Sequence, residues 1–404
     1  VPNPYRELLA VPGARRFVAA GFVGRMSMSM VGIGIVLLVS AVTGSYGIAG
    51  AVAATLSLSF AAGAPLSARY ADRYGQRRVI VPTVLANTAA FALLIALTML
   101  RAPVWTLFPA AAVAGATIIS MGACVRARWS YVLSGSPGRL QTAFSFESVV
   151  DESIFVAGPL LVTFLSTGVH PAAGLVASSA CTLAGTLALA AQRGTEPPPR
   201  PREPGAARSG LLGDPAVRVL ASVLLLLGAV FGAIDVSGVA FAEEQGHKAL
   251  AGVLLGCYAL GSGTAALWYG ARRWRAPLAR RFQVGLVVLA VMLVPPVLLD
   301  RLAPMMVVVF FSGLAISPTI IPAYALLERL VPPGRLTEGF AVLSTSVGVG
   351  VALGSSLSGR LVDARGSGAA FLVPLGAALA AAVFGLAGAR KISKRELSSQ
   401  TIAE

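Results

Sequence analysis

This 404-residue chain is dominated by a series of apolar runs, each 18 to 30 residues long. About 20 helical residues cross the ~30 Å hydrocarbon core of a bilayer. Inside that core every backbone N–H and C=O needs a partner within the protein, which leaves helices and closed barrels as spanning elements. A barrel would be written as short alternating segments. These runs are continuous, so the expected fold class is an all-α membrane protein. Charged residues make up 12% of the chain, about half the share of a soluble domain, and mean hydropathy is +0.79.

Twelve transmembrane helices are expected, at 17–43, 46–68, 79–100, 104–133, 140–167, 171–192, 216–242, 249–270, 282–299, 303–328, 338–361 and 369–389. An even number puts both termini on one side. With that side cytoplasmic, the outer loops hold five basic residues, Arg101, Lys248, Arg301, Arg360 and Arg365. Three more, Arg25, Arg126 and Arg128, lie within spans. The other 24 of the 32 are cytoplasmic. They include Arg73, Arg77 and Arg78, then Arg272, Arg273, Arg275, Arg280 and Arg281, then Arg390, Lys391, Lys394 and Arg395. That asymmetry obeys the positive-inside rule. It predicts a multi-pass protein of the cytoplasmic (inner) membrane with both termini cytoplasmic. It also accounts for the net charge of +15 without a nucleic-acid partner. Residues 1–16 are polar and the first run is too long for a signal-peptide core, so no cleavable signal is expected.

No cofactor and no metal are expected. Cys124, Cys181 and Cys257 sit singly in apolar runs, as packing residues do. His170 and His247 fall in outer loops, and no serine–histidine or metal-type spacing occurs, which argues against an enzyme.

One polar stretch interrupts the pattern, with Pro197, Pro198, Pro199, Pro201 and Pro204 among arginines. That is a linker composition. It divides the chain into a six-helix bundle at 1–192, a cytoplasmic linker at 193–215, a second six-helix bundle at 216–389 and a cytoplasmic tail at 390–404. The halves repeat. Leu8, Leu9, Pro12 and Arg15 recur as Leu211, Leu212, Pro215 and Arg218. Pro137-Gly138-Arg139-Leu140 with Phe144 recurs as Pro333-Gly334-Arg335-Leu336 with Phe340, and the same offset carries Gly158 onto Gly354. Two related bundles that rock about a site between them are a common transporter plan.

The connection between the second and third spans reads Ala68-Arg69-Tyr70-Ala71-Asp72-Arg73-Tyr74-Gly75-Gln76-Arg77-Arg78. It resembles the signature loop of the major facilitator superfamily, G-x-L-A-D-R-x-G-R-K/R. Ala71, Asp72, Arg73, Gly75 and Arg77 match; Ala68, Tyr70 and Gln76 depart. The resemblance implies two pseudo-symmetric six-helix bundles. It also implies a gating role in which Asp72 latches the halves against the N-terminus of the eleventh span in the outward-facing state. The second-half counterpart, Tyr269-Gly270-Ala271-Arg272, has lost the acid. A second likeness is to the fifth-span motif of drug:proton antiporters, G-x-x-x-G-P-x-x-G-G. Only Gly158 and Pro159 survive, with Ile154, Val162 and Thr163 at other glycine positions, and Ala111 stands near an expected arginine. A Gly-Pro pair is equally readable as a packing kink. The overall likeness is to bacterial drug- and metabolite-efflux members.

Ionisable groups within spans are costly and are the default functional candidates. Glu147 and Asp151 share one helical face with Ile154 and Gly158, and Glu152 points about a quarter turn away. Arg25, Arg126 and Glu147 fall at similar depth, ~10–12 Å from the cytoplasmic face at 1.5 Å rise per residue. A charge cluster of Arg25, Arg126, Glu147, Asp151 and Glu152 is expected, with Asp151 as the proton switch; a static ion-pair network is the alternative. Asp235, in the seventh span, is a candidate for contact with substrate or protons, or for a local hydrogen bond to Ser237. Met26, Met30, Thr117, Ser120 and Tyr324 are the other cavity candidates. Together these readings predict a monomeric secondary transporter that moves a small organic substrate by alternating access. Proton-coupled efflux is the leading mode; proton symport and lipid or lysolipid flipping are the alternatives.

Overall fold

The computed structural model describes residues 4–199, 211–247, 250–272 and 274–388. The expected tail, the middle of the linker, Lys248 and Arg273 lie outside these residues. Twelve helices are long and apolar enough to cross a membrane. They are α1 (Ala14–Thr43), α2 (Ile48–Tyr74), α3 (Gln76–Met99), α4 (Val104–Val132), α5 (Pro137–Gly168) and α6 (Ala173–Ala191). The second set is α7 (Pro215–Glu244), α8 (Ala251–Ala271), α9 (Leu278–Leu298), α10 (Leu302–Leu330), α11 (Pro333–Arg365) and α12 (Ser367–Ala387). No strand occurs among the described residues. Every expected span is present.

Local chemistry sets the boundaries. Asp214 accepts a hydrogen bond from the Ala216 amide with Pro215 at the first helical position, so α7 starts there. Gly75, at φ +95°, separates α2 from α3 with a backbone that a side chain would strain. Several helices begin earlier than the hydropathy suggests, because polar first turns such as Arg15-Arg16 and Gln76-Arg77-Arg78 continue them beyond the apolar core. Arg25 and Glu147 consequently lie ~15–17 Å along their helices from the end that carries the 72–78 loop, deeper than expected. That end is the basic end of the bundle.

α1 packs on α5 and α6, and α7 packs equivalently on α11 and α12. The sequence repeat has a structural counterpart. A Cβ on Gly158 would collide with the Ser29 side chain of α1, and one on Gly354 with the Ala229 carbonyl of α7. Both glycines thus permit the same close helix crossing. Phe144 and Phe340, also repeat partners, meet edge-on with centroids 5.8 Å apart. Equivalent residues can touch only near the axis that relates the halves. α4 and α10 break at matching places, residues 117–120 and Ala315, and α1 tightens at Met26, where the amide bonds back to Val23. Paired helix breaks of this kind flank transporter sites.

The halves meet along α2–α11 and α5–α8, with α4 and α10 adding further contact. Replacing Gly354 with Leu should force α7 from α11 at a cost of about 1–3 kcal/mol or more. A lowered Tm in detergent would report it; an unchanged Tm would contradict this packing.

Candidate functional site

Four charges converge where α1, α4 and α5 cross. Arg25 places Nη2 at 2.6 Å from Glu147 Oε2, although not aligned for a hydrogen bond, and Nη1 at 2.8 Å from Asp151 Oδ1. Its Nε donates to the Gly21 carbonyl. Arg126 Nη2 donates to Asp151 Oδ2 at 2.6 Å. Glu147 is fully buried, and its second oxygen accepts from Trp129 Nε1 at 2.8 Å. Trp129 is itself held edge-on by Phe17, centroids 4.6 Å apart. Gly122 makes room: a Cβ there would lie 2.9 Å from an Arg126 nitrogen. Two positive and two negative groups give a neutral quartet, the condition under which charges persist in a membrane interior.

The quartet is not sealed. Asp151 is 23% exposed while the two arginines are 2% and 4% exposed. Arg126 also looks across the midline. Its guanidinium carbon stands 4.3 Å from the centroid of the Tyr324 ring on α10, a cation–π contact between the halves. The Tyr324 hydroxyl lies 3.4 Å from the Ser344 hydroxyl of α11.

Glu152, expected in the cluster, is not part of it. The quarter-turn offset on α5 directs it toward Ser262 and Tyr258 of α8 and Asp235 of α7, close enough for their charges to interact. Asp235 does not bond Ser237, whose hydroxyl pairs instead with Ser358 at 3.1 Å. The other cavity candidates divide. Met26 and Met30 are buried against Val150, Ile154 and Val162, packing α1 on α5 rather than lining a cavity. Thr117 accepts from Asn87 of α3 at 3.3 Å. Ser120 lines a small void between α2, α3 and α4. Pro159 lies within α5, which stays helical through it, and Gly158 serves the crossing with α1.

The basic end is closed by a second set of contacts. Asp72 accepts from the Thr337 amide at 3.2 Å and from the Glu338 amide at 2.9 Å, at the N-terminus of α11, where a carboxylate is favoured. Thr142 donates to the Gly270 carbonyl, and Gln141 donates to that of Tyr269. In the short helix Pro4–Leu9, Tyr5 donates to Leu267 at 2.7 Å. Burial pushes the Tyr5 phenol up to about 12, so it remains a donor at neutral pH. Arg73 stacks over Tyr74, and the Arg77 amide donates to Glu196 of the linker at 2.9 Å.

Gln76 departs from the usual basic residue for a visible reason. Its Oε1 accepts from buried Arg128 at 2.9 Å, and its Nε2 donates to the Cys124 carbonyl. A cation at this place would oppose Arg128. Arg128 lies two residues beyond Arg126 and so faces the other way, where it also holds Gln192 at the end of α6 and Thr195 of the linker. Trp129, Gly122 and Glu196 are site residues that the sequence did not single out, since nothing in hydropathy or spacing marks them.

Asp151→Asn leaves two buried guanidiniums with one carboxylate, and should lower stability by about 3 kcal/mol. Adding Arg126→Met should recover much of that loss in a thermal double-mutant cycle. Strictly additive losses would mean the two groups are not coupled.

Residues 17–303 match the sequence profile of the Major Facilitator Superfamily. No curated protein sequence matches the chain. Among solved structures it is similar to the human organic anion transporter MFSD10 (TETRAN), with TM-score 0.69 and 15% identity, over 92% of this chain and 99% of that one. It is also similar to a bacterial homologue of the iron transporter ferroportin in an outward-facing state, with TM-score 0.71 and 18% identity, over 92% and 98% of the two chains. The same homologue with soaked iron gives TM-score 0.68. At these identities the structural likeness speaks for the fold, and the profile match over most of the chain speaks for the family. Twelve spanning helices, a latched signature loop and that match lead to one conclusion: this chain belongs to the Major Facilitator Superfamily of membrane transporters.

Proposed function

We propose that the chain is a proton-coupled exporter of a small, amphipathic organic molecule, with both termini in the cytoplasm and its cytoplasmic end closed in this structure. The reading is carried by Arg126, which is shared between Asp151 in one half and Tyr324 in the other. A proton on Asp151 would leave the quartet with a buried net positive charge and loosen the hold on Arg126. That disfavours the present arrangement and biases the halves toward another. Proton binding and gate position are thereby linked, which is the requirement for coupled transport.

The closed end supports an outward-facing assignment. The hydrogen bonds of Asp72, Thr142, Gln141 and Tyr5 to the opposite half all lie at the basic end. The ferroportin homologue with the same fold is likewise described as outward-facing. Substrate chemistry follows from Glu152 and Asp235, half-buried and exposed acids from opposite halves, with Tyr258 and Ser262 beside them. Two carboxylates near the midline favour a cargo with a cationic or hydrogen-bond-donating group on an apolar body. Export rather than uptake is supported by the Gly158-Pro159 remnant of the antiporter motif.

Everted vesicles carrying the protein should accumulate such organic cations when the lumen is acidified, and dissipating the gradient should abolish it. Asp151→Asn should cut gradient-driven accumulation at least tenfold while sparing counterflow exchange. Retained coupling would remove Asp151 from the mechanism, and dependence on the opposite gradient would establish symport. Asp72→Ala should increase alkylation of cysteines placed at the basic end by releasing the latch; unchanged alkylation would contradict the gate.

A further inference from the structure

Away from the site just described, a groove of about 500 Å³ opens on the outer surface of the second bundle, between α8, α9 and α10. Its walls are apolar: Val284, Val288 and Met292 of α9 face Phe311 and Pro318 of α10. Val284, Val288 and Phe311 are 41–54% exposed, so this surface is turned toward lipid rather than into the protein. The groove has a floor. A Cβ on Gly285 would lie 2.6 Å from Thr319 Oγ1, so α9 and α10 touch there and close the way to the interior.

The mouth has a different chemistry. Trp268, Trp274, Arg280 and Arg281 surround it, at the basic end. Arg272 stacks near both tryptophans, 5.4 Å from each ring centroid. Arg281 donates to the Tyr269 hydroxyl at 2.8 Å and to Gln141 of α5 at 2.7 Å. No acidic residue lines the groove among the described residues. Tryptophans mark the level of lipid headgroups, and a basic pocket between helices at that level suits a phosphate. From Arg280 to Met292 the groove extends ~18 Å along α9, about the depth of one leaflet's hydrocarbon.

We propose that this groove is a binding site for an anionic phospholipid of the leaflet at the basic end. The phosphate sits between Arg280 and Arg281, and one acyl chain lies along Val284, Val288 and Met292. Among the described residues no carboxylate stands at the mouth, and Arg272 already stacks over both tryptophans, which disfavours a zwitterionic headgroup with its ammonium. A soluble phosphate would leave the apolar length unfilled. Since Arg281 also holds Gln141, the bound headgroup lies beside a contact that closes the two halves.

The test uses the full-length protein, delipidated in detergent and titrated with phosphatidylglycerol or phosphatidylcholine, with bound lipid counted by native mass spectrometry. Phosphatidylglycerol should be retained about tenfold better, and Arg280→Gln should weaken it about fivefold, the effect of one basic group at an anionic surface. Val288→Trp, and separately Val284→Trp, should fill the groove and reduce retention to background with Tm unchanged. Equal retention of the two lipids overturns the proposal, as does undiminished retention in both tryptophan variants. Displacement by glycerol 3-phosphate at matched concentration also overturns it, because the acyl chain would then contribute nothing. So does a dimer that the tryptophan variants abolish, which would make the groove a self-association surface.

Discussion

Charges can remain inside a bilayer only when they cancel, and the crossing of α1, α4 and α5 is organised around that condition. Arg25 and Arg126 are balanced by Glu147 and Asp151 within 2.6–2.8 Å. Removing any one leaves a net charge in a medium that cannot solvate it. The same requirement explains the surroundings. Trp129 satisfies the Glu147 oxygen that lies away from the arginines, the Gly21 carbonyl takes Arg25 Nε, and Gly122 leaves space for a guanidinium. The balance holds while all four groups are ionised, and neutralising one carboxylate would leave a buried net positive charge.

Small residues perform the complementary task. In lipid, helices gain little from burying apolar surface and adhere through close van der Waals approach. Gly158 against Ser29 and Gly354 against Ala229 are the same solution used once in each half. Gly228, Gly232 and Gly350 continue it along the α7–α11 seam. These seams hold each bundle together, whereas the halves join through hydrogen bonds at the basic end and through the Phe144–Phe340 and Arg126–Tyr324 contacts.

The linker takes part in this arrangement. Arg128 grips Gln192 and Thr195, while Glu196 accepts the Arg77 amide beside Gly75. The chain that leaves α6 is therefore fastened next to the loop that carries Asp72.

Much of the fold was legible in the residues. Runs of bilayer length allow only spanning helices, and the recurrence of Phe144 as Phe340 announces a duplicated bundle. The meeting of Arg25, Arg126, Glu147 and Asp151 was also legible, because depth along a helix follows from residue count. Direction around the helix was harder. Glu152 looks like a third acid of the same cluster, yet a quarter turn sends it to α8 and α7. Arg128 looks like a companion of Arg126, yet two residues turn it to the linker. Met26 and Met30 read as pocket lining until α5 covers them. Helix length and relative depth are local properties, written in consecutive residues. Which neighbour each face meets depends on how twelve helices pack, and only the tertiary structure decides that.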